Sequence, residues 1–85
     1  MGRARENLIE KIRNNPRDVR FEDACKIAGW LGFARSGGKG SHRAFARPGE
    51  PVILNFQDRH GKIPAYQAKQ LIEMIELYGD ELDTR

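Results

Sequence analysis

The sequence has very little of what several common classes of protein need. It contains one cysteine, Cys25, among 85 residues, so no disulfide can form within the chain. No apolar run approaches the roughly 18 residues that cross a bilayer, and the charged segment from Met1 to Glu10 has no apolar stretch typical of a signal peptide. A chain of this length closes one modest core. We therefore expect one small domain in the reducing cytoplasm, with no membrane association.

Acidic residues are scarce in the middle of the chain. Between Gly32 and Gln70 there are seven Lys or Arg residues and two acidic residues, a local charge of +5, whereas the remainder has eight basic and ten acidic residues, or −2. A central segment of one sign is typical of a surface that faces phosphates. An ordinary solvated surface is the alternative interpretation of the same charges.

The motifs of nucleotide and metal sites are missing as well. Lys39 precedes Gly40 where a P-loop needs Ser or Thr, and Arg43 stands where a dinucleotide fingerprint needs its third glycine. Cys25, His42 and His60 lack the close spacing of zinc ligands. The basic segment also has too few carboxylates for a magnesium nuclease. The sequence predicts neither a cofactor nor a metal.

What is present is a pattern of helices at both ends and short strands between them. Apolar residues recur at helical spacing in three segments, which predict the helices Arg5–Asn14, Phe21–Leu31 and Ala65–Tyr78. Three short segments bounded by glycine and proline predict the strands Phe33–Ser36, Ser41–Arg47 and Val52–Gln57. Their short links require an antiparallel meander. The expected fold is α+β, in the order α-α-β-β-β-α, with helices on one sheet face and either the other face or the sheet edge open for a partner.

His42 follows a glycine-rich turn and lies among cations, which makes it the main candidate for chemistry. Near neutral pH an imidazole both accepts and donates protons, as cleavage of an RNA phosphodiester at its 2′-hydroxyl requires. Lys39, Arg43 and Arg35 are suited to hold phosphates. Alternation along the second strand puts Phe45 on the face opposite His42 but leaves open which of the two faces is buried.

The segment from Lys26 to Glu76 resembles the HicA family of bacterial toxins. The resemblance rests on Gly40-Ser41-His42 at the start of the second strand, on the Pro48-Gly49 turn, and on the run from Asn55 to Gln70. It covers about 60% of the chain, and the position of the tripeptide after a helix and a strand makes the combination specific.

The resemblance implies a fold like that of double-stranded-RNA-binding domains, metal-independent ribonuclease activity on mRNA, and neutralisation by a HicB antitoxin. It assigns catalysis to His42, while Arg43 departs from the second histidine of many relatives. The core then spans residues 24–79 of one domain, with a helical N-terminal extension, 1–23, and a tail, 80–85. We take the RNA-binding residues to be Lys39, Gly40, Ser41, Arg43, Arg35, Arg47 and Lys62.

Two other classes of function fit the same residues. A non-catalytic RNA-binding module uses this fold and charge without cleavage, and a protein-interaction domain uses the basic surface to bind an acidic partner. Ser41 as a covalent nucleophile is disfavoured because no carboxylate is identifiable to orient its neighbouring histidine. His60 is interpreted as part of a solvated turn, and Cys25 and Trp30 as core residues.

Overall fold

The order of the elements confirms the predicted α-α-β-β-β-α arrangement. The computed structural model describes residues 2–79, so the expected tail at 80–85 lies outside the described residues. The helices are α1 (Gly2–Asn14), α2 (Phe21–Trp30) and α3 (Ala65–Tyr78), and the strands are β1 (Ala34–Gly37), β2 (His42–Ala46) and β3 (Leu54–Gln57). No helix in this part of the chain is both long and apolar enough to span a bilayer.

The three strands form the expected antiparallel meander, with β2 in the centre. Phe45 pairs with Leu54 across β2 and β3, and both side chains are buried beneath the helices together with Phe56. The rings of Phe45 and Phe56 pack with their centroids 5.7 Å apart. Since side chains alternate along a strand, the other face carries His42 and Ala44. Among residues 2–79, the sheet therefore buries the face of Phe45 and leaves the face of His42 uncovered.

The N-terminal segment is part of the same core. Ile12 of α1, Val19 and Phe21 are all less than 5% exposed and belong to one cluster with the apolar residues of the sheet and of α3. Arg13 on α1 also pairs with Glu76 on α3 at 3.1 Å. Because α1 packs against α3 and shares one core cluster with Phe45, it adds to the helix-covered side of the sheet.

Polar contacts join the end of α2, the β2–β3 connection and the end of α3. Arg47 donates to the carbonyl oxygen of Leu31 at 2.5 Å, and its guanidinium lies 3.9 Å from the ring centroid of Tyr78. The Tyr78 hydroxyl donates to a Glu50 carboxylate oxygen. This hydrogen bond lowers the pKa of Glu50, helped by the backbone N–H of Val52, and raises the pKa of Tyr78.

Two of the strands, β2 and β3, are shorter than the sequence pattern predicts, and β1 has the predicted length but lies one residue later. β3 begins at Leu54, two residues later than expected, because the backbone N–H of Val52 donates to the Glu50 carboxylate at 2.9 Å and does not join the ladder. α2 ends one residue earlier than expected, at Trp30, and Gly32 follows it at φ 90°. Gly32 thus has the left-handed backbone expected of a residue that ends a helix.

Candidate nucleic-acid interface around His42

A tight turn brings His42 to the start of β2. The turn runs from Gly38 to Ser41 and is closed by the backbone N–H of His42, which donates to the carbonyl oxygen of Lys39 at 3.0 Å. Gly38 lies at φ 105° and Gly40 at φ 58°, where residues with a side chain are strained. A Cβ at Gly38 would lie 2.8 Å from the Cα of Arg43 and closer still to the His42 carbonyl oxygen. The turn thus needs glycine so that two backbone segments can approach.

His42 and Gln57 form a close pair on the uncovered face. They lie directly opposite each other on β2 and β3. The N–H groups of both residues point away from the partner strand, one to Lys39 and the other to the side chain of Gln67. Such a non-hydrogen-bonded pair has its Cα atoms only about 4.5 Å apart. The exposed His42 imidazole therefore lies beside the Gln57 amide.

Arg59 extends this pair into a row of three polar side chains. The predicted loop after β3 contains a tight hairpin in which Arg59 and Lys62 exchange backbone hydrogen bonds of 2.7 and 3.1 Å. His60 and Gly61 have φ of 55° and 88°, as a type I′ turn requires. Arg59 folds back and donates to the Gln57 side-chain oxygen at 3.1 Å. We define the row His42, Gln57 and Arg59 as the polar row.

Two of its members, Gln57 and Arg59, were absent from the sequence-based list of site residues. The charge count included Arg59, but only the strand register puts Gln57 opposite His42, and only the hairpin turns Arg59 back toward the sheet. Lys39 is exposed in the turn that precedes His42, as expected. Ser41 is also exposed, and its backbone oxygen accepts a hydrogen bond from the Asp58 N–H at 2.8 Å.

Arg43 lies on the helix-covered face, away from the polar row. Its guanidinium is 5.0 Å from the ring centroid of Phe21 and approaches the Cys25 sulfur at 4.0 Å. Burial raises the pKa of the Cys25 thiol, and the hydrogen bond from Arg43 opposes this. Arg35 pairs with Phe45 across the strands, which puts it at the edge of the same face. Neither arginine is brought to His42.

Arg47 and Lys62 are engaged elsewhere. Arg47 lies beyond β2 on the helix-covered side, bonded to Leu31 and stacked on Tyr78. Lys62 forms an ion pair of 2.6 Å with Asp18, and this contact lowers the pKa of the Asp18 carboxyl. The basic segment is therefore divided by the fold, and only some of its cations face the same way as His42.

The polar row offers proton transfer and anion binding. The row combines an imidazole, an amide and a guanidinium, and Lys39 is exposed in the preceding turn, a set suited to a phosphodiester. The Asp58 carboxylate, which follows Gln57 in the chain, accepts the Gly61 N–H at 2.7 Å. Within residues 2–79 no three His, Cys, Asp or Glu side chains cluster closely enough to hold a metal ion.

Comparison with protein families, curated proteins and solved structures finds no match to this chain. The functional interpretation therefore depends on the geometry of the polar row and on the sequence resemblance given above.

Proposed function

We propose that this chain is an mRNA-cleaving endoribonuclease of the HicA toxin type, with His42 as general acid or base. The observation that carries the proposal is the position of His42 at the start of β2, exposed on the sheet face that none of the three described helices covers. A histidine kept for packing would face Phe21 and Phe56, as Arg43 does. His42 instead faces solvent opposite Gln57, whose side-chain oxygen accepts a hydrogen bond from Arg59.

The reaction follows from the chemistry of RNA. His42 takes the proton from a 2′-hydroxyl, and the freed oxygen attacks the adjacent phosphorus. The bond from phosphorus to the 5′-oxygen breaks, and the leaving oxygen receives a proton from His42 or from water. The products are a 2′,3′-cyclic phosphate and a 5′-hydroxyl end, so the step consumes no cofactor.

Lys39 and Arg59 supply the positive charge that this step requires. Both are exposed: Lys39 lies in the turn that precedes His42, and Arg59 is hydrogen-bonded to Gln57, the cross-strand neighbour of His42. A cation that contacts the phosphate stabilises the extra charge of the pentacoordinate transition state. We therefore assign to Arg59 the role that the sequence pattern gave to Arg43.

A non-catalytic RNA-binding module is the second candidate, and one observation favours it. Among residues 2–79 no carboxylate is hydrogen-bonded to His42, and the Asp58 carboxylate is occupied by Gly61. A histidine without such a partner binds phosphate well and is a less strongly oriented base. The two candidates differ in one measurable outcome, cleavage of bound RNA.

The test makes the same substitution at both histidines. His42→Asn removes the proposed base, and His60→Asn is the matched control, because Asn tolerates the left-handed backbone at position 60. With labelled mRNA and EDTA, we expect wild type and His60→Asn to give cyclic-phosphate ends and His42→Asn to be slower by about 100-fold or more. RNA binding with no wild-type cleavage would establish the module instead.

A second pair of variants tests which of two arginines, Arg59 or Arg43, contacts the phosphate. Arg59→Met should lower kcat/KM by about tenfold, the loss of one charged hydrogen bond. Arg43→Met keeps an apolar stem over Phe21 and should leave cleavage near the wild-type rate. The opposite ranking would return the phosphate role to Arg43.

The biological setting of the proposal is the cytoplasm, where a toxin of this type meets mRNA and a HicB-type antitoxin. We expect expression of wild type to arrest growth and deplete intact mRNA, and His42→Asn at matched protein level to do neither. An adjacent small reading frame that restores growth when co-expressed would identify the antitoxin.

A further inference from the structure

A groove of about 520 Å³ runs along the outer edge of β3. One wall is Asn55 of β3, and the other is formed by the exposed side of α3. The lining residues from α3 are Tyr66, Gln67, Lys69, Gln70 and Glu73. The proposed cleavage step uses none of them.

The ring of Tyr66 is exposed but anchored. Tyr66 is 67% exposed, so its ring is not needed to fill the core. The Tyr66 hydroxyl accepts a hydrogen bond of 3.4 Å from the Gln67 side-chain nitrogen. Gln67 is only 6% exposed, and its oxygen accepts the backbone N–H of Gln57 at 2.8 Å. A buried amide thus links an exposed aromatic ring to the edge of the sheet.

The groove adjoins the polar row, because two of its lining residues, Asn55 and Gln67, are neighbours of Gln57. The backbone N–H of Gln57 donates to the side chain of Gln67, which lines the groove. The side chain of Gln57 lies beside His42. Asn55 is two residues along β3 from Gln57 and therefore on the same sheet face. Such a diagonal neighbour of His42 is about 7–8 Å away. A chain bound at His42 can reach the groove without leaving the surface.

The lining fits a nucleobase better than a docked peptide strand. An aromatic face stacks on any base, the amides of Asn55 and Gln70 both donate and accept at a base edge, and Lys69 is suited to a phosphate. A strand added to β3 would need the outward N–H of Gln57, which Gln67 already occupies.

We propose that this groove is a nucleobase subsite in which Tyr66 stacks on one unpaired base next to the bond cleaved at His42. The inference rests on the proposed function and narrows its substrate class, because a base that stacks on a protein ring must be unpaired. The substrate at this site is then single-stranded RNA.

The test measures stacking without cleavage. Pentamer oligoribonucleotides with one 2-aminopurine are titrated onto the full chain carrying His42→Asn, and base stacking is followed as quenching of 2-aminopurine fluorescence. We expect quenching, with Tyr66→Ala weakening the affinity about tenfold and Tyr66→Phe keeping it. Leu77→Ala, at another exposed residue of α3, is the matched control and should change nothing.

The outcomes separate this inference from the proposed function. If Tyr66→Ala binds the pentamer as tightly as its parent while wild type still cleaves RNA through His42, the subsite is wrong and the ribonuclease stands. If the His42→Asn parent does not bind the pentamer and the wild-type chain does not cleave RNA, both proposals fail. If Tyr66→Ala loses only a protein partner, the groove is a protein interface and the nucleobase assignment is overturned.

Discussion

Substitution of Gly38 by alanine should both destabilise the protein and displace His42. The backbone at Gly38 has φ 105°, and a strained conformation of this kind costs about 1–3 kcal/mol for a residue with a side chain. The new Cβ would also lie 2.8 Å from the Cα of Arg43, a backbone atom of the central strand. Neither the strained backbone angle nor the close approach to Arg43 can be relieved by turning a side chain, so β2 itself must move.

Two neighbouring glycines are matched controls for this substitution. Gly40 has φ 58° but no atom within 4 Å of a built Cβ, so Gly40→Ala has only the left-handed strain of about 1–2 kcal/mol. Gly37 has neither a positive φ nor a close neighbour. We therefore expect Gly37→Ala to change the free energy of unfolding by no more than about 0.5 kcal/mol.

The expected order of stability is wild type and Gly37→Ala, then Gly40→Ala, then Gly38→Ala. The combined strain and overlap at Gly38 should cost about 2–4 kcal/mol after the gain of about 0.4–1 kcal/mol from a stiffer unfolded chain. For a domain of this size the midpoint of thermal unfolding then falls by about 10 °C or more. Urea and thermal unfolding measure this order. Equal stability of Gly38→Ala and Gly40→Ala would refute the argument from close backbone approach.

Two further predictions concern hydrogen bonds that join the elements. Gln67→Met should cost about 1–3 kcal/mol in urea unfolding, because it leaves the Gln57 N–H without its acceptor, whereas Gln70→Met on the same helix should be nearly neutral. Tyr78→Phe should flatten the pH dependence of stability, because the folded pKa of Glu50 is lowered and that of Tyr78 is raised. The stabilisation from Glu50 is present above its ordinary pKa of 4.5 and is lost as pH falls through the lowered pKa of the folded state. The stabilisation from Tyr78 is present below its ordinary pKa of 10.0 and is lost as pH rises through the raised pKa of the folded state. A wild-type advantage over Tyr78→Phe that stays constant below pH 4.5 would contradict this linkage.

Local patterns were sufficient for the order of the elements. α3 begins and ends where the apolar periodicity predicted, and Gly32 has the left-handed backbone expected after a helix. These features depend on residues close together in the chain, where helical spacing and glycine conformations act directly. The start of β3 was predicted too early because the Glu50 carboxylate competes for a backbone N–H.

The candidate site was predicted only in part, for a related reason. The sequence indicated His42 and the glycine turn because both lie in one short segment. It also showed that Phe45 and His42 face opposite ways, but not which of the two is buried, since that depends on where the helices pack. Arg43 was assigned to phosphate because it is adjacent to His42 in sequence, yet adjacent residues of a strand point to opposite faces.

The sequence by itself thus determined the kinds of elements, their order, and the segment that holds the histidine, because these depend on near neighbours. The tertiary structure alone decided which side chains share a surface with His42. The register of β2 and β3 puts Gln57 opposite it, the hairpin at His60 and Gly61 returns Arg59 to the row, and Gln67 joins Tyr66 to the sheet edge. Each of these contacts depends on strand register or on how helices and loops pack against the sheet, which no short segment of the sequence specifies by itself.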